Sequence, residues 1–145
     1  MRKENNDSTL INEVYRNAKT AILSIDAIME EINDMDFFTE IKSERDGYND
    51  ILDEVTAFMQ NNGYAINEVS AFKKTGMNLG IKMNTAFDNS TTHLAELMIK
   101  GTLMGICELT RLINGNKTSN ETILNLATKL VDLEENYEAR LKKFL

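Results

Sequence analysis

The chain has 145 residues, 16 basic and 23 acidic side chains, a formal charge of −7, one cysteine and no proline. That charge repels a phosphate backbone or an anionic lipid surface, so neither nucleic acid nor membrane is expected as a partner, and no stretch approaches the roughly 20 apolar residues that cross a bilayer. One nearly all-helical domain is expected, cytoplasmic because Cys107 stands alone and no apolar signal run follows Arg2 and Lys3.

After a disordered tail at residues 1–7, a first helix is expected from Ser8 to about Asp34. Its narrow stripe is Leu10, Ile11, Val14, Ala18, Ala21, Ile22, Ile25, Ile28, Met29 and Ile32, with Asp7 or Ser8 as N-cap. Asn33-Asp34-Met35-Asp36 breaks it. A second helix runs from Phe37 to about Asn62, with Phe37, Ile41, Tyr48, Ile51, Leu52, Val55 and Met59 inward, and Asn61-Asn62-Gly63 closes it as a left-handed C-cap. A third pattern spans about Asn67 to Phe87 around Gly76 and Gly80. Ser90 caps a fourth helix from Thr91 to about Ile113, and Thr118-Ser119-Asn120-Glu121 reads as a capping box for the last, which reaches the C-terminus.

The four long segments match in length, at roughly 37 Å each, and the first two and last two are joined by short turns. The segment between Gly63 and Ser90 is long enough to return along the bundle. The expected architecture is therefore two antiparallel hairpins joined by a full-length crossover that carries an additional helix. Gly101-x-x-x-Gly105 is expected to pack closely against the Gly76 and Gly80 helix.

Three glutamates fall inside apolar stripes: Glu44 beside Ile41 and Tyr48, Glu108 with Leu94, Gly101 and Met104, and Glu134 with Leu130, Tyr137 and Leu141. A buried carboxylate is costly unless it is paired, protonated or bound to a cation, so each is expected to have a partner such as Arg45 or a tyrosine hydroxyl. Axial position along the helices brings Glu44 and Glu134 to one level. His93, the single histidine, and Glu96 lie near the same end, so Glu44, His93, Glu96 and Glu134 are the candidate metal ligands, for iron or manganese. A second candidate site is a small-molecule pocket around Glu44, Arg45 and Tyr48. A second apolar flank on the fourth helix, Ala95, Ile99, Ile106 and Ile113, is expected to be covered by the crossover helix or by another subunit of a homo-oligomer.

Ser90-Thr91-Thr92-His93-Leu94-Ala95-Glu96, Lys100-Gly101-Thr102-Leu103-Met104-Gly105-Ile106 and Leu133-Glu134-Glu135-Asn136-Tyr137-Glu138 resemble the ferritin-like superfamily, in particular small bacterial members that keep the bundle without a complete di-iron motif. The resemblance implies an all-α, ferritin-like four-helix bundle. Active members take one glutamate from the first helix of each hairpin and Glu-x-x-His from the second. Glu-x-x-His does not occur here, and no acidic residue lies on the core stripe of the first helix. A structural or interaction role without catalysis is accordingly expected.

Overall fold

The computed structural model describes residues 2–68, 80–81, 88–116 and 120–145, with side chains from Asn6 onward. Helix α1 spans Arg2–Met29, α2 Met35–Asn61, α3 Thr91–Gly115 and α4 Glu121–Leu141, followed by a 3₁₀ turn at Lys142–Phe144. Among the described residues there is no strand. No helix is long and apolar enough to cross a membrane.

Helix α1 begins at Arg2, ahead of the Ser8 start expected from the stripe, so the supposed tail is helical. Asp7 is not its cap; it is a buried residue inside the helix whose Oδ1 accepts from the Asn120 backbone N–H at 2.9 Å. The other ends follow local rules. Asp34 caps α2, its Oδ1 accepting from Phe37 N–H at 2.8 Å, and Ser90 Oγ accepts from His93 N–H at 3.2 Å at the start of α3. At the end of α2, Gly63 has φ +72° and Tyr64 N–H reaches back to Met59 O at 2.9 Å, with the Tyr64 ring stacked on Phe58. This is a Schellman-type stop with its hydrophobic contact. Asn120 caps α4 through Thr122 and Ile123 N–H. Thr118 and Ser119, read as the start of that cap, lie outside the described residues, as does most of the third helical pattern, at 69–79 and 82–87; its expected start at Asn67 is non-helical.

Contacts at the helix ends fix the directions. Asn120, opening α4, meets Asp7 near the start of α1, so these two helices run the same way. Phe37, opening α2, packs on Phe144 beyond the end of α4, and Thr92 Oγ1 at the start of α3 donates to the Phe144 carbonyl. Helices α2 and α3 therefore both run opposite to α1 and α4. The main helix pairs are α1 with α2 and α3 with α4; α1 also touches α3 and α4, and α4 touches α2. Ion pairs stitch the outside, Arg45 to Asp26 and Lys129 to Glu54 at 2.7 Å and Arg140 to Glu40 at 2.9 Å.

The stripes of α1, α2 and α4 form the core as expected. Helix α3 does not follow its expected face. Ala95 is fully buried, Ile99 nearly so, and Ile106 and Ile113 pack against the core, whereas Met104 is 65% exposed and Glu108 is exposed. The flank expected to be covered by the crossover helix or by another subunit is thus an inward face of the chain itself. Glu108, expected inside, stands at the surface.

Candidate functional site

Helix α2 points Glu44 and Tyr48 inward one turn apart, and α4 does the same with Glu134 and Tyr137. Glu44 is 0% and Glu134 1% exposed. The two elements meet through their polar tips. Tyr48 donates its hydroxyl proton to Glu134 Oε2 at 3.2 Å, and the Tyr48 and Tyr137 rings pack edge to face with centroids 5.4 Å apart. The Tyr137 hydroxyl lies over Gly47, where any Cβ would collide with it. Gly47 is the notch in α2 that admits this side chain.

Neither Glu44 oxygen accepts from an N–H or hydroxyl donor, and Glu40 Oε2 is likewise buried without one. Burial, a hydrogen bond to Glu40 and the charge of Glu40 push the Glu44 carboxyl up to about 10, against a weaker opposite pull from Arg140. Glu44 is therefore a neutral acid at pH 7 and donates its proton to Glu40, whose Oε1 accepts from Arg140 Nε at 2.9 Å. The expected pairing with Arg45 does not occur, because Arg45 turns outward to Asp26.

At Glu134 burial again dominates and raises the carboxyl to about 8, with hydrogen bonds from Tyr48 and Asn17 pulling it back. Asn17, on α1, also donates from Nδ2 to the Gly105 carbonyl at 3.1 Å. A Cβ on Gly105 would lie 2.8 Å from Glu134 Oε2 and 2.9 Å from Asn17 Nδ2, so this glycine lets the α3 backbone close over the carboxyl. The described neighbours of Gly105 are thus a carboxyl and an amide; Gly76, on the helix that spacing suggested, lies outside the described residues. Glu134 Oε1 is buried and has no hydrogen-bond partner. Tyr48 feels both carboxyls; burial first, then Glu134 and Glu44, hold its hydroxyl well above the usual range.

This polar floor opens into a cavity of about 420 Å³ between α1 and α3. Tyr48 and Glu134 line it, together with Asn17, Thr20, Ala21 and Ser24 from α1, Leu97, Met98, Gly101 and Thr102 from α3, and Ile81. Glu13, Arg16, Met104 and Glu108 also border it, with Arg16 Nη2 3.2 Å from Glu13 Oε2.

Of the four candidate metal ligands, Glu44 and Glu134 lie in the core, each within the electrostatic reach of Tyr48. Glu96 does not join them. Its side chain is 49% exposed and pairs with Lys100 at 2.9 Å, which together with His93 draws its carboxyl below the usual range. His93 sits half-buried in the first turn of α3, in the field of Asp88 and Glu96. Among the described residues no three His, Cys, Asp or Glu side chains form a metal-sized group. Asn17, Gly47 and Gly105 are the members of the site that sequence reading missed. A glycine in mid-helix, costing about 1 kcal/mol relative to alanine, was the available signal for Gly47.

The arrangement can hold protons on two buried acids and present one hydrogen-bonding carboxyl to a largely apolar cavity. Comparison with family models, with curated proteins and with solved structures finds no match to this chain.

Proposed function

We propose that the chain is a ferritin-like bundle with a structural or interaction role and without catalysis. The observation that carries this reading is the Tyr137 hydroxyl seated over Gly47. Di-metal bundles carry Glu-x-x-His on two of their helices. At the same spacing this chain has Glu44-x-x-Gly47 and Glu134-x-x-Tyr137, and the aromatic side chain of one motif fills the notch left by the other. The ferritin-like assignment draws support from helix direction. Helix α2 ends beside the start of α1 and α3 starts beside Phe144, the placement that a full-length crossover between two hairpins calls for, and Gly80 and Ile81 between them are helical.

The alternative is an iron or manganese site of oxidase or storage type using Glu44, His93, Glu96 and Glu134. In its favour, Glu44 and Glu134 have oxygens without donors. The residues fit it poorly, since Glu96 points to solvent with Lys100 and the inner space between α2 and α4 is occupied by tyrosine rings. The deciding experiment is elemental analysis of untagged protein purified without chelator, before and after anaerobic ferrous iron, beside Glu44→Gln/Glu134→Gln. Metal far below one equivalent in both proteins is expected. Stoichiometric iron or manganese, lost in the double variant, would replace this reading with the metalloprotein one.

Self-association belongs to the same proposal. With Ala95 and Ile99 inside the chain, the apolar surface left on α3 includes Leu103 and Met104. Light scattering is expected to give a multiple of 16.5 kDa that Leu103→Glu reduces to the monomer mass.

A further inference from the structure

We infer that the cavity between α1 and α3 is a binding site for a small apolar amine, whose ammonium group is held by Glu134 while its hydrocarbon body lies along Ala21, Ile28, Leu97 and Met98. This goes beyond the proposed scaffold role and does not rest on it.

Size is the first argument. A cavity of about 420 Å³ falls in the range that holds small organic ligands and exceeds what an isolated water needs. Its composition is the second, since most of the surface it exposes is apolar, with Ala21, Ile28, Leu97 and Met98 along the walls, while Tyr48, Asn17 and Glu134 meet on the floor and Thr20, Ser24 and Thr102 add hydroxyls to the lining. The third is an unmet valence. Glu134 is 1% exposed, its Oε2 accepts from Tyr48, and its Oε1 has no partner. A buried carboxyl oxygen without a partner is destabilising whether or not it carries the proton, and a ligand ammonium N–H satisfies it once that proton has left.

Charge selects an amine over a neutral or anionic head group. Glu13 and Glu108 border the cavity against Arg16, and Arg16 is already engaged by Glu13, so the field is negative even before Glu134 ionises. Free Glu134 is largely protonated at pH 7, since burial lifts it to about 8. Seating an ammonium ion there drives the proton from Glu134 into solvent, and the resulting ion pair stays inside the cavity. Charge balances, with one cation in and close to one proton out. Gly101 also lines the cavity, and a Cβ built on it meets nothing within 4 Å among the described residues.

The test is calorimetric titration at pH 7 of the full chain with benzylamine, 2-phenylethylamine, 4-phenylbutylamine and hexylamine, with 2-phenylethanol and 3-phenylpropanoate as matched neutral and anionic probes. Running each in two buffers of different ionisation enthalpy reads the protons released. At least one amine is expected to bind with release of close to one proton, and more tightly than the alcohol. Glu134→Gln, which keeps the shape and removes the charge, is expected to weaken the amine by about ten- to hundredfold while sparing the alcohol. Gly101→Leu, which replaces a helical glycine by a good helix former and fills the cavity, is expected to abolish binding of every probe; Lys129→Ala, on an exposed face of α4, is expected to change nothing.

Three results would overturn the inference: no amine binding up to millimolar concentration, amine binding without proton release, or binding that survives Gly101→Leu. Preferential binding of the carboxylate would overturn it too, because it would make Arg16, whose Nε is buried without a partner, the anchor.

Discussion

Two carboxyls held neutral in the core make the stability of this protein depend on pH in a defined direction. An unfolded glutamate ionises near 4.5, whereas the folded chain keeps its proton up to about 8 on Glu134 and about 10 on Glu44. Between those limits the folded state binds more protons, so stability from these groups is fullest below pH 4.5 and is lost as pH rises through the folded values. Glu44→Gln and Glu134→Gln stay neutral throughout. Each is therefore expected to match wild type near pH 4.5 and to exceed it by roughly 4–5 kcal/mol at pH 8, at about 1.4 kcal/mol per pH unit, measured by urea unfolding across that range. A gap between variant and wild type that stayed constant with pH would show that the carboxyls are ionised in the fold. Gly47 makes a second prediction at this scale. Gly47→Ala should cost about 1–3 kcal/mol because its Cβ meets the Tyr137 hydroxyl, and Tyr137→Phe, by removing that oxygen, should recover much of the loss in the double variant. Additive costs in the cycle would mean that the two residues do not touch.

The helix ends were the most legible part of the sequence, because a cap is a local contest between a side chain and the backbone. Ser90 and Gly63 act where their residue types placed them, whereas the break expected at Asn33–Asp36 lies earlier, since α1 ends at Met29 and Asp34 caps an α2 that starts at Met35 and not at Phe37. Asn120→Ala should cost about 1 kcal/mol, and Gly63→Ala a comparable amount because φ there is +72°, both read from thermal unfolding. Which face a helix buries is less local, and α3 shows why. Its apolar residues nearly encircle it, so the choice of face falls to its polar ones. Thr102 looks like a surface residue, yet it is buried with its hydroxyl donating to Met98 O at 2.7 Å, a backbone contact that removes the cost of burial. Glu108 was drawn inward on the wheel by Gly101 and Met104, which border a cavity and are exposed. The expected face is off by roughly a quarter-turn, so Ala95 and Ile99, expected to be covered by the crossover helix or by another subunit, belong to the core. Glu44 and Glu134 were legible as buried acids because each interrupts an otherwise apolar stripe. Their partners were not, since Asn17, Gly47 and Glu40 reach them from other helices or from the polar edge of their own.

Across the whole molecule, one side chain does what helix packing alone cannot, fixing the course of the chain as it leaves α2. Asn12, nearly fully buried on α1, donates from Nδ2 to Ser8 O at 3.0 Å and Ala65 O at 3.1 Å, and its Oδ1 accepts from Asn67 N–H at 2.9 Å. One amide thus satisfies backbone groups on both sides of a non-helical stretch. A turn further along α1, the Tyr15 hydroxyl donates to Glu68 Oε1 at 2.8 Å, extending the clamp. Residues 64–68 are held against α1 by these groups, and Tyr64 is stacked on Phe58 of α2. Asn12→Ala leaves Asn67 N–H without its acceptor and Ala65 O without its donor, at an expected cost of about 1–3 kcal/mol in urea unfolding. Hydrogen exchange distinguishes this from a general loss of packing. Amides of 64–68 should lose protection well before those of α1 and α2, whereas Val14→Ala, which opens a void in the core stripe of the same helix, should lower protection across the bundle together. If both variants lowered protection uniformly, Asn12 would be an ordinary core residue and the exit from α2 would be held by helix packing alone.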